Sequence, residues 1–96
     1  MDVLVTYDVS TTSPAGERRL ARVAAVCERY GTRVQYSVFE CRLTSTALER
    51  LVGELLDEID PEVDSVRIYR FPGDLTASCT TLGRPRDRAL GDPWII

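Results

Sequence analysis

Asp8 is the residue of this chain best suited to chemistry. It closes an otherwise apolar run, Val3-Leu4-Val5-Thr6-Tyr7-Asp8-Val9. A carboxylate in such a place is costly unless it is paired, hydrogen-bonded or bound to a metal. Mg²⁺ is typically held by one or two carboxylates and waters, with substrate phosphate completing the shell. An ion so held activates water and stabilises charge at a phosphodiester without any histidine. The other reading of Asp8 is local, since aspartate is common at turns and would cap the loop from Ser10 to Thr12. The residues by themselves leave both readings open.

What is missing narrows the chemistry further. The chain has 96 residues, no histidine and no lysine, and all 12 basic residues are arginine. Ser-His-Asp and Cys-His catalysis, histidine metal ligation and an imidazole base are therefore excluded. Arg18, Arg19 and Arg22 open a predicted helix that starts shortly after Asp8. Their planar forks suit phosphate oxygens, and a solvated helix face is the alternative. Tyr7, Tyr36 and Phe39 are candidates for stacking on bases or for packing a core. Ser10, Thr11, Thr12 and Ser13 form a polar loop able to hydrogen-bond phosphate. Cys27, Cys41 and Cys79 are odd in number and contain no C-x-x-C pair, so small buried hydrophobes are expected at all three positions.

The elements that must hold these residues are legible from periodicity. The run Val3 to Val9 is β-branched and aromatic and predicts a strand. Val3, Val5, Tyr7 and Val9 share one face, and Leu4, Thr6, Asp8 and Ser10 the other. Both faces are substantially apolar, which predicts an interior strand. Ser13 is a good N-cap and Pro14 fits the first helical position. The helix should run to Tyr30 with Leu20, Val23, Ala24 and Cys27 buried, and stop at a left-handed Gly31. Arg33 to Cys41 is extended, either as one long strand or as two bent near Ser37. A second helix is signalled by capping-box spacing at Thr46 and Glu49. Its apolar stripe is Leu48, Leu51, Val52, Leu55, Leu56 and Ile59. Ser65 to Phe71 is the last strand, with Val66 and Ile68 on one face and Tyr69 and Phe71 on the other.

This order predicts a ferredoxin-like βαββαβ sandwich of the α+β class over residues 1–71, with both helices on one face of an antiparallel sheet. Leu4 and Phe39 are expected on the uncovered face, which predicts a face-to-face homodimer. Residues 72–96 form a tail in which Arg84-Pro85-Arg86-Asp87-Arg88 looks solvated and Trp94-Ile95-Ile96 is apolar. Such an end is expected to dock as an edge strand on the sheet of a partner subunit.

Charge and hydropathy bound the partners. The net charge of −3 argues against indiscriminate coating of nucleic acid. Residues 10–44 carry six arginines against three glutamates, and residues 45–64 one arginine against seven acids. That asymmetry suits phosphate on one face and a different partner on another. No apolar run approaches the roughly 20 residues of a membrane span. The first residues carry no basic segment or cleavage site, so no membrane and a cytoplasmic location are expected.

Three stretches carry a resemblance. Val5-Thr6-Tyr7-Asp8-Val9, the arginine-rich helix after it, and Arg33-Val34-Gln35-Tyr36-Ser37-Val38-Phe39-Glu40-Cys41 resemble the Cas2 family of CRISPR-associated proteins. The spacing agrees through the strand Ser65 to Phe71. The resemblance implies a homodimeric endonuclease dependent on Mg²⁺ or Mn²⁺, acting on single-stranded RNA or double-stranded DNA. It also implies the central subunit of a spacer-acquisition complex, which bridges integrase subunits and holds new DNA. The catalytic, metal-binding aspartate of the family falls on Asp8, with Tyr7 and Phe39 in support. Its arginines fall on Arg18, Arg19 and Arg33, and Arg22 joins them by position. One acid per subunit is a sparse nuclease site, so an architectural DNA clamp without required catalysis is the alternative. An RNA-cleaving toxin on the same fold is a weaker one.

Overall fold

The computed structural model describes residues 1–83. Four strands and two helices alternate as β1 (Asp2–Asp8), α1 (Pro14–Tyr30), β2 (Gly31–Gln35), β3 (Val38–Arg42), α2 (Ser45–Glu58) and β4 (Ser65–Phe71). The sheet order is β2-β3-β1-β4, and every neighbouring pair is antiparallel. This is the ferredoxin-like sandwich expected from the element order. No helix among the described residues is long and apolar enough to cross a membrane.

The period-two pattern of β1 decides which side is core. Val3, Val5, Tyr7 and Val9 are buried, together with Val23, Val26 and Cys27 of α1 and Leu48, Leu51 and Leu55 of α2. On the sheet's other side the register brings Leu4 opposite Glu40 and Tyr69, Thr6 opposite Val38 and Arg67, and Asp8 opposite Ser65. Neither α1 nor α2 covers that side.

Several local expectations are corrected. Phe39 does not lie on the bare face. It pairs with Val5 and is wholly buried beneath the helices. The side-chain phase of β3 is set by its register with β1, not by alternation carried from β2 through the turn at Tyr36 and Ser37. The extended stretch is accordingly two strands, with a register shift between Arg33 and Gln35. Gly31 is not a left-handed stop. Its φ of −161° is extended, and it begins β2 directly. Glycine is needed there for space, because a Cβ would lie 2.4 Å from both Cys41 Sγ and the Glu40 carbonyl oxygen. The cap of α2 is Thr44 rather than Thr46, its hydroxyl accepting from the Ala47 N–H at 3.1 Å. Cys27 and Cys41 are buried, but Cys79 is exposed.

The start of the tail returns to its own sheet. Leu75 is buried, and its N–H donates to Asp2 Oδ2 at 2.9 Å. Asp2 in turn accepts from Arg42 Nε at 2.9 Å. Both residues belong to the bare side by register. A single 3₁₀ turn, Thr76–Ser78, follows. The expected docking of Trp94-Ile95-Ile96 as an edge strand lies outside the described residues.

Candidate active site

Asp8 is the last residue of β1, at the end of the sheet where β3 has already turned away. Its Cα partner is Ser65 of β4, and the strand pairing to β3 stops two residues earlier, at Thr6 and Val38. Its side chain is exposed on the bare face and makes no hydrogen bond or ion pair with the described residues. The local-cap reading is therefore not realised. Ser10, which that reading makes the recipient, has its N–H bound by Asp64 instead, at 2.9 Å. Asp8 thus presents a carboxylate whose lone pairs no described residue uses. Among the described residues no three acids or cysteines gather into a metal cage. One exposed carboxylate per chain fits an ion that keeps most of its waters.

Tyr7, one residue earlier, points the opposite way. Its ring stacks on Phe39, centroids 6.1 Å apart, and its hydroxyl donates to the Tyr36 carbonyl at 3.4 Å. Burial pushes the Tyr7 phenol up to about 12, so it stays neutral. Tyr7 and Phe39 are thus core residues behind the strand that carries Asp8. Arg33 joins them there. Its Cζ sits 5.1 Å over the Phe39 ring and its Nη2 lies 3.3 Å from Glu28. Only 14% of its side chain is exposed, and its buried Nε has no partner among the described residues.

The arginines of α1 divide by their partners. Arg19 Nε donates to Asp64 at 2.8 Å, Arg22 Nε to Glu58 at 2.7 Å, and Arg29 to Glu54, which also accepts from Tyr30. The basic helix and the acidic stretch 45–64, which composition alone assigns to separate partners, are therefore stitched largely to each other. Arg18 is exposed and makes no ion pair with the described residues. On the bare face itself, Arg67 lies diagonally across from Asp8 and donates to Tyr69 Oη at 3.2 Å. The alternation of β4 was a signal for its face; its nearness to Asp8 depends on the β1–β4 register, which the sequence does not print.

These features define a class, the small two-layer ferredoxin-like sandwich with a strand-end carboxylate on its open sheet face. The profile of the CRISPR associated protein Cas2 family matches residues 1–77. The chain is 55% identical over 69 residues to the CRISPR-associated endoribonuclease Cas2 of Chlorobaculum tepidum, covering 72% of each. It is 47% identical over 96 residues to the CRISPR-associated endonuclease Cas2 of Halalkalibacterium halodurans, covering all of each. The crystal structure of Streptococcus pyogenes Cas2 at pH 6.5 matches with a TM-score of 0.78 at 46% identity, over 86% of this chain and 100% of that one. The chain belongs to the Cas2 family of CRISPR-associated proteins.

Proposed function

We propose that this protein is a dimeric, metal-dependent endonuclease of CRISPR adaptation, hydrolysing nucleic-acid phosphodiesters. The observation that carries the reading is Asp8, an exposed carboxylate on the open face of the sheet with no partner among the described residues. The names of the two relatives, an endoribonuclease and an endonuclease, support the reaction class. Leu4, Val38 and Tyr69 on the same face support a face-to-face homodimer. In such a dimer the Asp8 side chains of both subunits would hold Mg²⁺ or Mn²⁺. When bound, the ion supplies Lewis acidity at the phosphodiester. Arg18 and the partly exposed Arg22 contact phosphate, whereas Arg19 and Arg33 act from within the fold.

A second reading has its own observation. A single carboxylate per chain is little for a nuclease, and it favours a subunit that clamps new spacer DNA and bridges integrase subunits without needing to cleave. Asp8→Asn separates the two. Labelled single-stranded RNA and double-stranded DNA are incubated with Mg²⁺, with and without chelator, and spacer acquisition is followed in cells. The nuclease reading expects chelator-sensitive cleavage that Asp8→Asn abolishes while the dimer persists. Unchanged cleavage by Asp8→Asn overturns it. Lost cleavage with intact acquisition assigns the cellular role to the clamp.

A further inference from the structure

Asp64 is the most completely used polar side chain among the described residues. Its side chain has no solvent exposure. Oδ1 accepts from the Ser10 N–H at 2.9 Å and from Arg19 Nη2 at 3.5 Å. Oδ2 accepts from Arg19 Nε and from the Asp60 N–H, both at 2.8 Å. Burial pushes this carboxyl up, but Arg19 and the Asp60 and Ser10 N–H groups together hold it below its ordinary value, so it stays charged.

The place of this carboxylate matters more than its partners' number. Ser10 is two residues beyond Asp8, and Ser65, next to Asp64, is the Cα partner of Asp8. The following peptide, which carries the Ser10 carbonyl, is confined as well. A Cβ on Gly16 would sit 2.0 Å from the Ser10 carbonyl oxygen, so α1 rests against that carbonyl. Asp64 grips the N–H and Gly16 crowds the C=O. The chain leaving β1 is thus held at both backbone polar groups of Ser10, two residues after Asp8.

We propose that Asp64 is the positioning residue of the Asp8 site, fixing the Ser10 turn from behind and engaging Arg19 as its structural partner. This rests on Asp8 being the functional carboxylate. It gives Arg19 a role different from phosphate binding: the guanidinium neutralises and orients Asp64. An asparagine cannot replace Asp64, because its amide offers one acceptor oxygen and would turn an NH₂ toward either Ser10 N–H or the Asp60 N–H.

Asp64→Asn is compared with wild type and with Glu54→Gln, which loosens the Arg29 and Tyr30 contacts at the other end of α1. The first measurement is made without metal. Amide exchange at Ser10 should quicken by at least about tenfold, the scale of a lost charge-assisted hydrogen bond. Backbone order at Asp8 should fall while Val3 and Val5 are unchanged. The second is turnover on the better nucleic-acid substrate. The kcat should drop by about tenfold to a hundredfold with KM nearly constant, as expected for a misaimed group rather than lost binding. Glu54→Gln should move neither. If Asp64→Asn does not fold, Arg19→Lys keeps the charge but loses the forked geometry, and the same two readings should shift in the same direction. Wild-type protection at Ser10 in a folded variant overturns the proposal, as does a loosened Ser10 with wild-type kcat. A wild-type protein that never cleaves sinks the nuclease reading alone, and the metal-free order at Asp8 still decides the role of Asp64.

Discussion

The rings of Tyr7 and Phe39 stack across the β1–β3 pair with 25° between their planes, and Arg33 lies over the far ring. This layer sits on the helix side of the strand whose opposite side presents Asp8. The aromatic and arginine candidates of the sequence thus meet at one point, as a support for the site rather than as its exposed surface.

Truncating that support has a definite cost. Phe39→Ala removes a wholly buried ring, leaves Tyr7 without its stacking partner and Arg33 without its platform. We expect a loss of about 3–5 kcal/mol, the range for deleting a buried aromatic. Chemical denaturation measures it. Phe39→Leu should cost less, because it keeps most of the volume filled.

Two glycines make opposite predictions for one substitution. Gly16→Ala places a methyl 2.0 Å from the Ser10 carbonyl oxygen, so backbone must move. A loss of about 1–3 kcal/mol is expected, as for other overpacked positions. Gly53 is exposed within α2, and a Cβ there meets nothing within 4 Å. Gly53→Ala should therefore gain about 0.5–1 kcal/mol from helix propensity. Paired melting curves test both.

The Asp2 latch should open only in strong acid. The Arg42 guanidinium and then the Leu75 N–H hold the Asp2 carboxyl at about 2, below its ordinary 3.8. A group depressed in the folded state stabilises it above the unfolded value and loses that contribution as pH falls through the folded one. The Leu75 amide resonance should therefore be steady above the ordinary carboxylate range and shift as pH falls from 3.8 toward about 2. Asp2→Asn should remove that acid step. A Leu75 shift near neutral pH would contradict it.

Thiol reactivity should single out one cysteine. Burial pushes Cys27 up to about 12 and Cys41 up to about 11, so neither offers an accessible thiolate near neutrality. Cys79 is exposed. A thiol reagent applied to the folded protein should label one site per chain quickly, and Cys79→Ser should abolish that phase. Rapid labelling of Cys27 would show that the α1–sheet contact opens.

Much of the fold was legible because local signals agreed with one another. Alternation in β1 named its buried and bare faces correctly, since period two has only two answers. Ser13, with its hydroxyl accepting from the Gly16 N–H, and Pro14 marked the start of α1. Ser65 to Phe71 marked β4. The errors fell where a local pattern had to be carried across a turn or toward a distant strand. Phe39 was misplaced because its face depends on pairing with Val5. Gly31 was misread because its smallness serves Cys41, a residue ten positions away, rather than its own φ.

The position of Asp8 was determined by sequence alone, since it closes an apolar strand and alternation sets its side of the sheet. What the tertiary structure decided is its company. It bound Ser10 to Asp64, spent Arg19 and Arg22 on acids of the neighbouring elements, and brought Arg67 to the same face. The hydrogen bonds among these join residues 36 to 54 positions apart. Local periodicity reports which way a side chain points, but only register and helix packing report what it meets there.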